Sequence, residues 1–173
     1  MKFFSGFSLQ NESYLFEEYI KQSDYTVCGF SYGAIKALSY VEKQIKDGNR
    51  VDTLQLLSPA FFQSKDSKFK RLQLIAYRKN EEVYLNQFLN SCFYPYEKKI
   101  VERSTTVIDE LEELLEYEWN LDTLRTLNSK GINIEVYLGG EDAIVDTEVA
   151  KEFFKDVATV TFIKDANHFL QLN

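Results

Sequence analysis

Apolar residues recur along the chain in two patterns, short uninterrupted runs and longer stretches with helical spacing. Runs rich in β-branched and aromatic residues indicate buried strands, and apolar positions three and four residues apart indicate helices. The runs that predict strands lie at about 1–5, 25–30, 51–58, 132–138 and 158–163. Helical spacing predicts helices at about 10–22, 33–47, 66–92, 105–129 (in one or two pieces) and 146–156, with a short helical tail. The alternation predicts an α/β protein with a sheet of about five mainly parallel strands and helices on both faces.

The stretch from Ala60 to Lys130 interrupts this alternation, because its pattern is helical and not that of strands. Its apolar positions form two stripes, one at Phe69, Leu72, Ile75 and Ala76, the other at Ile108, Leu111, Leu114 and Leu115. Pro95 is expected to break the stretch in the middle. The length of 173 residues predicts one domain. We therefore predict a single domain over 1–173, with a compact helical cap at about 60–130.

Composition and charge exclude several classes of function. The net charge of −7 argues against nonspecific binding to nucleic acid. Apolar runs stay well below the roughly 18 residues of a membrane-spanning helix, and the N-terminus lacks the pattern of a signal peptide. Cys28 and Cys92 have neither metal-binding nor redox spacing, and Cys28 is expected to be a small buried residue. These features predict a cytoplasmic protein that requires no metal or nucleotide cofactor and binds no membrane.

The pentapeptide from Gly29 to Gly33, Gly-Phe-Ser-Tyr-Gly, lies between a predicted strand and a predicted helix. A serine on a tight strand-to-helix turn projects its hydroxyl out of the chain, at the helix end where a developing oxyanion is stabilised. The two glycines permit the strained turn and the close approach of strand and helix. Ser31 is therefore the candidate nucleophile; the alternative interpretation is an ordinary turn serine.

His168 and an acidic residue would complete the chemistry that Ser31 begins. His168 is the only histidine of the chain and follows the last predicted strand, at the sheet edge where α/β proteins place catalytic groups. A surface or capping histidine is the alternative. Asp142 follows the preceding strand and a glycine turn, so the order serine, aspartate, histidine matches one known order of a catalytic triad. Glu141 and Asp146 are rivals for the acid, and Asp146 could instead cap the next helix.

A resemblance to a known family extends these motifs over nearly the whole chain. It rests on the segments Met1–Phe7, Asn11–Ser13, Leu15–Glu18, Gly29–Ser31 with Gly33–Ala37, Phe69–Leu74, and Asn167–His168 with Leu170–Gln171. With them, the chain resembles the α/β-hydrolase superfamily and, more narrowly, the small pimeloyl-acyl-carrier-protein methyl ester esterases of the Helicobacter type, used in biotin synthesis. The pentapeptide alone would indicate only the superfamily.

The resemblance implies a trimmed α/β-hydrolase fold, without the early antiparallel strands and one parallel crossover of full-size members. It also implies a carboxylesterase that removes the methyl group of pimeloyl-acyl carrier protein methyl ester. Ser31 would attack the ester, His168 would transfer the proton, and Asp142 would orient the imidazole.

Two backbone amides are expected to stabilise the oxyanion of this reaction. One is the amide of Tyr32, which follows the nucleophile. The other, by alignment to the family's loop after the first strand, is the amide of Phe7, whose side chain could alternatively be only a core aromatic. The family's loop often begins with His-Gly, and Ser5 replaces that histidine here. The contacts that support the loop must therefore differ.

The predicted cap carries a basic segment at 65–79 and an acidic segment at 102–118. The basic residues are Lys65, Lys68, Lys70, Arg71, Arg78 and Lys79. Both segments could simply be solvated helix faces. The resemblance implies a second interpretation, in which the basic residues dock the strongly acidic acyl carrier protein and steer its approach.

Other functions remain open at this level. A generic small-ester esterase or an acyl thioesterase would use the same three residues, and a non-catalytic binding module could keep the fold without the chemistry. Several aromatic residues could line an acyl channel or could simply fill the core: Phe30, Tyr32, Phe61, Phe62 and Phe169.

Overall fold

The computed structural model describes residues 1–173 and contains one main sheet. Its strands are β1 (Lys2–Phe4), β3 (Thr26–Phe30), β4 (Thr53–Leu57), β6 (Asn133–Gly139) and β7 (Thr159–Ile163). They lie in the order β1-β3-β4-β6-β7, and every neighbouring pair is parallel. A separate antiparallel pair joins β2 (Leu9–Gln10) to β5 (Glu102–Arg103). The five main strands confirm the predicted sheet, whereas the small pair was not predicted.

Six α-helices and one 3₁₀ helix surround the sheet. They are α1 (Tyr32–Lys46), α2 (Ser67–Lys79), α3 (Glu81–Phe93), α4 (Ile108–Glu116), α5 (Leu121–Ser129), α6 (Thr147–Phe154) and the 3₁₀ helix (Glu12–Phe16). The side chains of β3 and β4 are entirely buried, as expected for central parallel strands covered on both faces. One face packs against α1, α5 and α6. The opposite face is covered by the 3₁₀ helix, the end of α3 and the C-terminal segment.

The long helix predicted at 10–22 is wrong, because only Glu12–Phe16 forms a short 3₁₀ helix. The helical pattern of hydrogen bonds does not continue to Lys21. Its amide donates to the Gln55 side chain of β4 at 2.8 Å and not to a carbonyl of its own segment. The expected helical tail is also absent, since no helix follows β7. None of the helices combines the length and the apolar character needed to cross a membrane.

The cap between β4 and β6 consists of α2 to α5 and belongs to the same hydrophobic cluster as the sheet face beneath it. The helix predicted at 66–92 is in fact two helices. Asn80 ends α2 and caps α3, because its side chain accepts a hydrogen bond from the Val83 amide at 3.0 Å.

Of the two predicted apolar stripes of the cap, one is buried and one is not. Leu111, Leu114 and Leu115 of α4 are buried as expected. On α2 the predicted stripe is wrong, because Leu72 and Ile75 are each 50% exposed. The helix α2 instead turns Tyr77 inward, where it packs against α3. It thereby leaves apolar side chains among its basic residues at the surface.

Candidate active site

Ser31 lies on a sharp turn between β3 and α1, with φ 52° and ψ −116°, a conformation that non-glycine residues rarely adopt. Close backbone packing holds this turn. A Cβ at Gly33 would lie 2.1 Å from the carbonyl oxygen of Phe4, and a Cβ at Gly29 would lie 2.2 Å from the carbonyl oxygen of Gly33. Only glycine fits at either position, so the pentapeptide holds the hydroxyl at the carboxyl edge of the sheet.

The structure brings the three predicted triad residues into one hydrogen-bonded line. His168 Nε2 lies 3.0 Å from Ser31 Oγ, and His168 Nδ1 lies 2.6 Å from Asp142 Oδ2. The side chains of His168 and Asp142 are fully buried. The second carboxylate oxygen of Asp142 accepts the amides of Ile144 at 2.7 Å and Val145 at 3.2 Å, which fixes the plane of the carboxylate. This arrangement can pass a proton from a serine hydroxyl to an imidazole.

The two rival acids lie elsewhere. Glu141 is exposed, and Asp146 caps α6 by accepting the Val149 amide at 3.2 Å. The loop that carries His168 is held by Asn167, a residue to which the sequence analysis gave no role. Its side-chain amide donates to the Phe93 carbonyl at 2.9 Å, which ties the histidine loop to the end of α3. The signal for this role in the sequence is that an asparagine directly precedes the only histidine of the chain.

The amides of the two predicted oxyanion donors are both without a partner in the protein's secondary structure, and the rings of Phe7 and Tyr32 lie 6.3 Å apart, edge to face. The Tyr32 amide belongs to the first turn of α1, where no helical carbonyl is available to accept it. The Phe7 amide donates no hydrogen bond within the protein. The preceding amide, that of Gly6, donates to the buried carboxyl of Glu12 at 2.7 Å. The contact that supports the loop in the absence of a histidine at position 5 is therefore a glutamate.

A cavity of about 290 Å³ lies between the cap helices and the active-site loops, and ten of its 13 lining residues are hydrophobic. Phe7, whose ring packs against that of Tyr32, and Ile144, whose amide donates to Asp142, both line it. Ser31 itself is only 4% exposed, and neither it nor Asp142 nor His168 lines this cavity. Of the aromatic residues considered for an acyl channel, Phe62 lines this cavity. The others do not: Phe30, Tyr32, Phe61 and Phe169.

Polar contacts tie the cap to the helix that follows Ser31. The hydroxyl of Tyr32 donates to the carboxylate of Glu113 on α4. Burial, and then this carboxylate, raise the pKa of Tyr32 well above the usual range of tyrosine. Next to it, Lys36 pairs with Glu110 at 3.1 Å, and its ammonium lies 4.3 Å from the centre of the Tyr32 ring. The helix α4 thus contacts the active-site turn through both apolar and polar groups.

The predicted docking residues do not share one environment. Lys70 is buried and pairs with Glu116 of α4 at 3.1 Å, so it differs from the others in being occupied within the protein. Lys65 is half-buried beside the ring of Phe69. The remaining four are exposed: Lys68, Arg71, Arg78 and Lys79. No cluster of three or more histidine, cysteine or acidic side chains is arranged to hold a metal ion.

Comparisons with known proteins give structural matches only. No family model and no curated protein sequence matches the chain. Among solved structures, it is similar to an esterase from Exiguobacterium antarcticum (TM-score 0.61, 15% identity, 83% of this chain and 59% of that one). It is similar to naproxen esterase from Bacillus subtilis (TM-score 0.52, 19% identity, 96% of this chain and 62% of that one). It is also similar to BioG from Haemophilus influenzae (TM-score 0.52, 12% identity, 97% of this chain and 87% of that one).

These identities are low, so the matches establish the fold. The chain spans 59% of the length of the first of these esterases and 62% of the second. The five parallel strands, the serine turn after β3 and the partial coverage of larger proteins agree with one another. The chain has a trimmed α/β-hydrolase fold.

Proposed function

We propose that this protein is a serine carboxylesterase that hydrolyses the methyl ester of pimeloyl-acyl carrier protein. The hydrogen-bonded line of Ser31, His168 and Asp142 is the observation that carries the esterase part of this proposal. Structural similarity to esterases of the same fold supports it. The sequence resemblance to pimeloyl-carrier esterases supports the finer assignment of substrate and of a role in biotin synthesis.

The reaction follows from the positions of these groups. Ser31 Oγ attacks the ester carbonyl while His168 Nε2 takes its proton, and Asp142 stabilises the resulting imidazolium. The negative charge that forms on the carbonyl oxygen is stabilised by the amides of Tyr32 and Phe7. His168 then returns the proton to the leaving methoxide, which departs as methanol. A water molecule, deprotonated by His168, cleaves the acyl-enzyme and releases the free carboxylate.

The cavity under the cap suits a slim alkyl chain. Its walls are mainly apolar, and they include Phe7 and Ile144, from the loops that carry the proposed oxyanion donor and Asp142. Its polar lining residues include Gln73 and Gln87, whose side chains are uncharged and therefore compatible with an uncharged acyl chain.

The carrier protein would dock on the outer face of α2. This helix turns Phe69 and Gln73 toward the cavity and presents Leu72 and Ile75, with Lys68, Arg71, Arg78 and Lys79, to solvent. A face that combines cations with exposed apolar side chains suits docking of a strongly acidic carrier protein. Because the same helix borders the cavity, a carrier docked there would deliver its acyl chain over a short distance.

The test of this proposal is demethylation of pimeloyl-acyl carrier protein methyl ester by the purified protein, followed by mass spectrometry. Ser31→Ala is the control and is expected to show no demethylation. A fluorophosphonate probe should label the wild type and not this variant. A wild type that is not labelled would contradict catalysis by Ser31 and favour a binding module.

Charge reversal on α2 separates this substrate from the alternatives. The double variant Lys68→Glu with Arg71→Glu should lose about tenfold or more in kcat/KM on the carrier substrate and keep its activity on small esters. Reversal of Lys43 and Lys46, on the distant end of α1, is the matched control. Equal losses on both substrates would favour a generic esterase. Faster cleavage of acyl thioesters than of methyl esters would favour a thioesterase.

A further inference from the structure

Glu12, at the start of the 3₁₀ helix, is a fully buried acidic residue close to the active-site loops. Its Oε1 accepts the amide of Gly6 at 2.7 Å, and its Oε2 has no hydrogen-bond partner. Burial raises the pKa of the Glu12 carboxyl above its usual range, and the hydrogen bond from the Gly6 amide acts in the opposite direction. A buried carboxyl with one unpaired oxygen costs stability, so its presence calls for a reason other than folding.

The position of its partner supplies that reason. The Gly6 amide lies one peptide unit before the Phe7 amide, which is the candidate oxyanion donor. The loop is confined on its other side, since a Cβ at Gly6 would lie 2.8 Å from the ring of Phe30, the residue before the nucleophile. The loop also needs an anchor: two of its backbone positions, Ser8 and Asn11, have left-handed φ values of 59° and 63°.

We propose that Glu12 is a positioning residue for the oxyanion hole, which holds Gly6 so that the Phe7 amide points at the carbonyl oxygen attacked by Ser31. This inference rests on the esterase mechanism above and assigns a role that neither the triad nor the pentapeptide contains. Glu12 touches no reacting atom and acts only through the loop. It replaces the support that a histidine at the position of Ser5 would otherwise give.

Two substitutions separate the acceptor from the rest of the side chain. Glu12→Met has a similar length and no acceptor for the Gly6 amide, whereas Glu12→Gln keeps a carbonyl oxygen there. The readouts are kcat on a p-nitrophenyl ester and the affinity of an alkyl trifluoromethyl ketone. Ser31 Oγ adds to the ketone carbon, its proton passes to His168, and the resulting anionic oxygen occupies the oxyanion hole.

We expect Glu12→Met to lose about 10- to 100-fold in kcat and in ketone affinity with little change in KM, below the 10²–10³ cost of losing a donor outright. Glu12→Gln should stay within about threefold of wild type on both readouts, since it preserves the hydrogen bond. Ketone affinity unchanged in Glu12→Met would overturn the proposal. Equal impairment of both variants would overturn it as well.

A control and a second measurement keep the test decisive. Gln55→Met removes another fully buried polar side chain, whose partners include the Tyr19 carbonyl and Glu135. This control should lower the stability of the protein without lowering its affinity for the ketone. Hydrogen exchange of the Gly6 amide should be roughly tenfold faster in Glu12→Met, or in Glu12→Leu if the first variant fails to fold, and unchanged in Glu12→Gln. Unchanged exchange in the variant without an acceptor would refute the anchoring. Because exchange needs no catalysis, failure of ester hydrolysis alone would count against the proposed function and not against this contact.

Discussion

Asp142→Asn changes one oxygen of the triad to nitrogen, and the surrounding amides decide which one. Oδ1 of Asp142 accepts the amides of Ile144 and Val145, and Oδ2 faces His168 Nδ1. An asparagine must keep its carbonyl oxygen toward the two amides, so its NH₂ group faces the imidazole and donates to Nδ1. The proton of the neutral imidazole then lies on Nε2, which faces Ser31 and can no longer accept its proton.

The size of the effect follows from the alternative orientation of the asparagine. Turning the amide over would restore the productive tautomer of His168 but break both backbone hydrogen bonds and leave two donors facing an NH₂ group. Two lost bonds and two unpaired donors cost roughly 4 kcal/mol or more. That energy disfavours the productive state about a thousandfold. Loss of the negative charge beside the imidazolium adds to this, so we expect kcat to fall by about 10³–10⁴.

The assay combines steady-state kinetics on a p-nitrophenyl ester with ¹⁵N NMR of the imidazole. His168 is the only histidine in the chain, so its ring nitrogens are assigned without ambiguity. Asp142→Asn should shift the proton from Nδ1 to Nε2, whereas Asp146→Asn, four residues away at a helix cap, should leave tautomer and kcat unchanged. If Asp142→Asn keeps the Nδ1 proton and more than a tenth of the wild-type kcat, the reasoning is refuted.

Two predictions concern stability, each measured by urea unfolding. Alanine normally stabilises a helix by about 1 kcal/mol relative to glycine, but Gly33→Ala should destabilise by roughly 2–3 kcal/mol, because its Cβ would meet the Phe4 carbonyl. Gly48→Ala is the control, because Gly48 has φ +77° and open space around it, and it should cost about 1–2 kcal/mol. If Gly48→Ala loses as much stability as Gly33→Ala, or more, the close packing of α1 on β1 is contradicted. Because the pKa of Glu12 is raised in the folded state, the folded protein holds that proton more tightly than the unfolded chain, and the stability contributed by Glu12 falls as pH rises above about 4.3. Glu12→Gln should therefore gain stability relative to wild type as the pH rises above about 4.3, and a difference that does not vary with pH would contradict the raised pKa.

The sequence was sufficient to predict the sheet and the three residues at its edge. Continuous apolar runs mark the buried parallel strands, and in such a sheet the carboxyl ends of the strands meet. Ser31 and His168 each follow one of these runs, and neither has a competing candidate in its segment. The acid was less certain, because Glu141, Asp142 and Asp146 share one short loop. Only the direction of each side chain separates them, and loop geometry sets that direction.

The cap and the oxyanion loop were harder to predict for a different reason. On α2, two helix faces carry apolar residues, and the position of α3 and α4 decides which face is buried. Lys70 faces inward for the same reason, since Glu116 of α4 lies opposite it. The partner of Glu12 is a backbone amide, and an amide leaves no trace in the sequence. The sequence therefore does not predict a feature that depends on a tertiary partner when its local pattern fits two arrangements equally well.

Each residue of the proposed site follows the end of a strand of the main sheet. The loop after β1 carries Phe7, the turn after β3 carries Ser31, and the loops after β6 and β7 carry Asp142 and His168. Because β1 and β3 are neighbours, as are β6 and β7, each pair of cooperating loops comes from adjacent strands. Only β4 separates the two pairs, and its end accepts the Ser31 amide through the carbonyl of Leu57 at 2.9 Å. Four of the five strand ends therefore carry a residue of the proposed site, and the fifth, that of β4, holds the turn that carries Ser31.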